Sequence, residues 1–182
     1  MSIVTLDQAK AQLNIDPDDD SQDGELQGYV DAITGAVEEY KHEIIELRTI
    51  TEEVETCPVR RLRVYSVPAV SLVSVQMWDA SVTWDITKLR LSAEGILRVM
   101  SGPPVGGGLV EVTLTAGYAQ VPPRYVRGAL VILQHTWETQ RGVGAAVQGV
   151  IGREEVRKPA GSAFSIPNKA LEWLGKPLPL VA

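Results

Sequence analysis

Asp16, Asp18 and Asp20 are the first residues in the chain whose spacing could hold a cation. They open like a calcium loop, where carboxylates at positions 1, 3 and 5 surround the ion. The rest of that pattern fails. Position 6, where glycine makes the sharp turn, is Ser21, and position 12, where a bidentate glutamate belongs, is Gln27. A solvated acidic loop is the expectation. The two histidines, His42 and His135, fall on separate predicted helices, and only Glu138, one turn after His135, could share a ligand. Both are expected to be structural. Cys57 is the one cysteine, which excludes an internal disulfide and a cysteine-built zinc site. It precedes Pro58 with no base in any motif around it, so it reads as a small apolar residue rather than a nucleophile.

Gly106-Gly107-Gly108 is followed by no Gly-Lys-Ser/Thr and opens no helix, so it is not a phosphate loop. Glu38–Glu39 and Glu52–Glu53 are adjacent residues, and nothing marks a pocket around them. The run Arg60-Arg61-Leu62-Arg63 could touch phosphate, but it reads as a solvated or protein-facing strand surface. No catalytic residue, metal ligand or cofactor is expected.

The elements that would position these residues belong to a globular chain. It has 182 residues, 45% of them hydrophobic and 22% charged, which suits one domain, or one domain with an insertion. Net charge is −6 and unevenly placed. Residues 1–46 hold 12 acids against 2 bases (net −10), and residues 47–182 hold 11 against 15 (net +4). The first third is therefore a poor grip for nucleic acid. Acidic and basic faces of different copies could instead meet. No stretch approaches the roughly 20 apolar residues of a membrane span. The start, Met1 to Asp7, lacks the pattern of a secretory signal, so the expected setting is a reducing cytoplasm, where the chain stays or is assembled into something larger.

Thr5 and Gln8 have capping-box spacing, which predicts a helix over Leu6–Leu13 with Leu6, Ala9 and Leu13 on one face. A polar loop follows. A longer helix then carries Leu26, Tyr29, Val30, Ile33, Val37, Tyr40 and Ile44 as its stripe. Asp23 is its expected N-cap, and Glu38, Glu39, Lys41 and Glu43 its wet side. From Leu47 the period becomes two. Strands are predicted at 49–56, 61–65, 73–78, 82–84, 89–91, 96–99 and 109–115, as a small antiparallel barrel or sandwich. Pro122-Pro123 opens a third helix, expected to be the most buried, with Val126, Ala129, Leu130, Leu133 and Trp137 as its stripe, ending at Arg141-Gly142. Residues 142–165 are glycine-rich and aperiodic. A last short helix, capped by Ser165, turns Ala170, Leu171 and Leu174 inward and ends at Gly175. The tail from Lys176 should be extended, because Pro177 and Pro179 deny it a helix.

The order of these pieces resembles the head–tail connector (adaptor) proteins of long-tailed double-stranded DNA bacteriophages. The resemblance rests on Val4–Leu13, then Asp23–Tyr40, Val112–Tyr118, Val121–Leu130 and His135–Gly142. It implies an α+β fold, a small helical bundle with an antiparallel β-rich insertion between the second and third helices. The bundle would be 1–46 plus 119–182, with a flexible arm at 142–165 and an extended C-terminal tail, and the insertion would be 47–118. It implies a structural virion protein of the neck, assembled in the bacterial host cytoplasm. Copies, twelve in the virion, would form a ring joining the portal protein to a tail-side connector or tail terminator protein. Genomic DNA would pass through the ring without sequence-specific contact, and no membrane is involved.

Two segments follow from that reading. Val143, Val147, Val150 and Ile151 would give the arm apolar contacts with a neighbouring subunit. Pro177, Leu178, Pro179, Leu180 and Val181 would dock on the portal, since family C-termini insert between portal subunits. Two other classes fit the composition: a β-rich binding module, for carbohydrate for example, with helical flanks, or a small oligomeric enzyme with an intersubunit site.

Overall fold

A computed structural model describes residues 2–140, 156–157 and 166–179. The chain is mixed α and β and divides into two compact units, Met1–His42 with Gln120–Ala182, and Glu43–Ala119.

In the first unit α1 spans Leu6–Leu13, α2 Asp23–Lys41, α3 Pro123–Gln140 and α4 Asn168–Leu174. The α1 capping box forms as expected: the Gln8 N–H donates to the Thr5 hydroxyl and the Thr5 N–H to the Gln8 side chain. On α2, Leu26, Val30, Ile33 and Val37 are buried. On α3 the buried set is Tyr125, Gly128, Ala129, Ile132 and Leu133. This stripe is rotated from the expected one, leaving Val126, Leu130 and Trp137 half-buried. Helix α3 packs against α1, α2 and α4. At Gly128 an added Cβ would lie 2.7 Å from Leu174 Cδ2, so the absence of a side chain lets α4 approach. Trp137 meets the Tyr29 ring edge-on at 5.8 Å.

Several expectations are corrected here. Asp23 does not cap α2 but is its first residue, and its carboxylate pairs with Lys10 at 2.7 Å. Helix α2 ends at Lys41 because His42 turns left-handed (φ 54°), which puts Ile44 beyond it. Lys41 and Glu43 are buried rather than wet. Pro167, not Ser165, occupies the N-cap position of α4. Within the segment expected to lack structure, β7 (Val156–Arg157) pairs antiparallel with β8 (Ile166–Pro167).

In the second unit β1 spans Arg48–Thr56, β2 Arg61–Arg63, β3 Ala69–Met77, β4 Leu89–Leu91, β5 Ile96–Val99 and β6 Gly108–Ala116. They form two antiparallel three-stranded sheets, β1-β6-β3 and β2-β5-β4. Alternate residues of both turn into one shared core: Val75, Val110, Val112 and Leu114 from the first sheet, Leu62 and Leu97 from the second. Strand β3 starts earlier than predicted and carries two register shifts, between Ala69 and Ser71 and between Leu72 and Ser74. Val70 and Val73 are the extra residues and stand exposed. The segment expected as a strand at 82–84 makes only the bridge Gln76–Thr83, while Trp84 is buried with its indole donating to the Pro104 carbonyl at 3.1 Å. At Gly117 (φ 111°) a Cβ would fall 2.3 Å from the Glu46 carbonyl oxygen, so only glycine lets the chain leave β6 there.

Candidate assembly surfaces

The residues considered for catalysis are not brought into one site. His42 is an exposed helix terminus, and His135 is half-buried on α3. Cys57 is free and exposed in the β unit. Gly106, Gly107 and Gly108 make a turn closed by the Gly107 N–H on the Thr56 carbonyl at 2.8 Å. No group of three His, Cys, Asp or Glu among the described residues is placed to hold a metal ion. The acidic loop uses its carboxylates locally. Asp16 accepts the Asp18 N–H, and Asp19 accepts the Ser21 N–H, each at 3.0 Å. Hydrogen bonding to Ser21 holds the Asp19 carboxyl below its usual value of 3.8. Lys10, only 4% exposed, joins Asp23 to the Pro17 carbonyl, its ammonium 3.1 Å from that oxygen. The Asp23 hydrogen bond, opposed by burial, raises its pKa above 10.5.

The C-terminal segment is laid against the end of α2. The Tyr40 hydroxyl donates to the Gly175 carbonyl at 3.1 Å, and burial pushes its pKa up. The Lys41 ammonium donates to the Lys176 carbonyl, and the Leu178 N–H donates to the Lys41 carbonyl at 3.1 Å. A lysine suits this position, where the helix dipole is negative. Pro177, Leu178 and Pro179 thus stand together, exposed, on a backbone anchored to Lys41 at the end of α2. Leu180 and Val181, like Val143, Val147, Val150 and Ile151, lie outside the described residues.

The β unit presents a second kind of surface. Tyr65, Val70, Val73, Trp78, Val82, Ile86 and Met100 are exposed on it. Its turns are pinned by aspartates. The Ser81 hydroxyl and N–H hold the Asp79 carboxyl low, and those of Thr87 do the same for Asp85. Strand pairing also sorts its charges. Arg98 stands directly opposite Arg61 on one side and Arg90 on the other, all three exposed. On the other sheet Glu53 stands opposite Glu111. The sequence shows the Arg60–Arg63 run but not this row. Alternation within the short hairpin 89–99 is the one signal that turns Arg90 and Arg98 outward.

Residues 3–71 match the family of phage gp6-like head-tail connector proteins, which bears out the resemblance over that segment. No curated protein matches the sequence. Among solved structures, the fold is similar to a chain in the neck of an empty GTA particle computed with C6 symmetry. The TM-score is 0.66 at 14% identity, covering 97% of this chain and 90% of that one. It is similar also to a chain in the virion of a native gene transfer agent (GTA) particle, with TM-score 0.65, 13% identity and the same coverage. A chain in the neck of a native GTA particle computed with C12 symmetry follows, with TM-score 0.60, 13% identity and 94% and 90% covered. At these identities the likeness is one of fold.

Proposed function

We propose that this chain is a structural connector subunit of the neck of a phage-like particle. In this reading copies close into a ring, twelve-fold, between the portal and a tail-side protein, and DNA passes through without sequence-specific contact. The β unit is then an insertion between α2 and α3 of a helical bundle. The ring is assembled in the host cytoplasm and resides in the virion, and the role is structural rather than catalytic. One observation carries the reading: the family match over residues 3–71 coincides with a fold likeness to neck and virion chains that extends over both units.

Two finer parts follow. The arm residues Val143, Val147, Val150 and Ile151 contact the next subunit. Pro177 to Val181 dock on the portal, with the Lys41 ammonium on the Lys176 carbonyl and the Leu178 N–H on the Lys41 carbonyl setting where this segment begins. A preset, proline-held segment loses less entropy on docking. The experiment is imaging of the purified protein, alone and with portal rings, with co-sedimentation of a variant truncated after Gly175. Rings that bind portal, and a truncated form that keeps its fold but no longer co-sediments, are expected. Monomers at every concentration contradict the ring, and undiminished portal binding contradicts the tail's role.

A further inference from the structure

The outer face of the sheet β2-β5-β4 is built almost wholly of arginine. Leu62 and Leu97 turn into the core, so their neighbours Arg61, Arg63 and Arg98 turn out, joined by Arg90 from β4 and by Ile96 opposite Arg63. Three of these arginines stand in one cross-strand row, a placement that disfavours the lone subunit because like charges face each other. None of the four makes an ion pair with a described acid. Asp85 pairs with Lys88 at 3.4 Å, and Glu94 sits in the turn before β5.

The outer face of the sheet β1-β6-β3 has the opposite sign. Glu53 and Glu111 stand side by side, Glu55 follows two residues on, and Gln76 donates to Glu111 at 2.8 Å. The two sheets share one core between their inner faces, so these outer faces point away from each other within a single compact unit. One unit therefore carries two different, complementary faces, which is what a head-to-tail ring consumes at every contact.

We infer that the arginine face of one copy seats against the glutamate face of the next, Arg61, Arg90 and Arg98 meeting Glu53, Glu55 and Glu111. This rests on the ring reading above and names the surfaces that close it. The occupant is a second copy rather than nucleic acid. The acidic face is present on the same unit, and the unit as a whole holds 9 acids against 7 bases, a field that repels a polyanion at a distance. Three strands of three or four residues cover roughly 10 Å by 10 Å. That is far below the roughly 800 Å2 a stable interface buries per partner. The charged faces therefore fix polarity and register within a larger contact.

The test is a charge-reversal pair in the full chain, read by sedimentation velocity where the wild type is assembled, with circular dichroism melts confirming folding. R61E/R98E alone and E53R/E111R alone are each expected to sediment as subunits. The first loses its basic face and the second its acidic one, and each reversed pair meets its opposite only across unlike variants, so a one-to-one mixture is expected to reassemble, which misfolded chains could not do. Either variant assembling like the wild type, or a mixture of folded variants that stays dissociated, overturns the inference while leaving the ring reading intact. A wild type that never assembles overturns both. If R61E/R98E forms normal rings but loses retention of a linear DNA duplex that the wild type binds, the face serves nucleic acid and the inference falls.

Discussion

In the helical unit Lys10 and Lys41 are only 4% and 3% exposed, and each ends on an oxygen of its own unit: Asp23 and the Pro17 carbonyl for one, the Lys176 carbonyl for the other. In the β unit Arg61, Arg63, Arg90 and Arg98 lie exposed in a like-charged group. The apolar residues divide the same way. Of the ten exposed large hydrophobic residues described, eight lie between Leu47 and Met100, and Trp173 and Leu178 are the other two. Burying a cation requires a partner, so the helical unit has spent its polar groups on its own stability. Displayed like charges and apolar side chains do nothing for the lone subunit. They mark the β unit as the more strongly displaying of the two.

The largest expected contrast lies between Leu133 and Trp78. Leu133 is 1% exposed on α3, and Leu133→Ala should cost about 2–5 kcal/mol in chemical denaturation. Trp78 is 62% exposed, and Trp78→Ala should change stability by no more than about 0.5 kcal/mol while weakening assembly. Equal losses at the two sites would break the comparison.

Two helical glycines sharpen it. Gly35 has nothing within 4 Å of an added Cβ, so Gly35→Ala should stabilise by roughly 0.5–1 kcal/mol. At Gly128 the fully buried Leu174 stands in the way, and Gly128→Leu should cost about 1–3 kcal/mol through overpacking. Thermal melts of the two variants should move in opposite directions.

The lysine and arginine comparison is smaller. Lys10→Met should lower the melting temperature, and Arg98→Met should leave it unchanged or raise it by relieving the row. Because the folded pKa of Lys10 is raised, its contribution is fully present below the ordinary value of 10.5 and fades as pH climbs through the folded value. Wild type and Lys10→Met should therefore converge in strongly alkaline solution. The smallest effect is acidic. Asp19, Asp79 and Asp85 have lowered pKa values, so their contribution is present above 3.8 and lost as pH falls through the lowered values. Asp79→Asn should flatten that acid limb slightly in a pH-dependent melt.

Local signals were the legible ones. The Thr5–Gln8 box set α1, and period-two alternation found β1, β4, β5 and β6 to within a residue or so at their ends. The end of α2 was not legible, because the left-handed residue there is His42 rather than glycine. Lys41 and Glu43 read as wet because the partners that bury them, Lys176 and Tyr118, are far away in the chain. The arginine row was hidden for the same reason. It exists only once β2 pairs with β5, and sequence order does not give that pairing. The β3 bulges, which expose Val70 and Val73, follow from β6 pairing in the same way.

The central claim, that copies close head-to-tail into a connector ring, is tested most directly by the native mass of the full chain across a range of salt concentrations. The account predicts one large closed species at low salt that gives way to subunits as salt screens the paired faces. Subunits alone at every concentration of protein and salt would contradict the account.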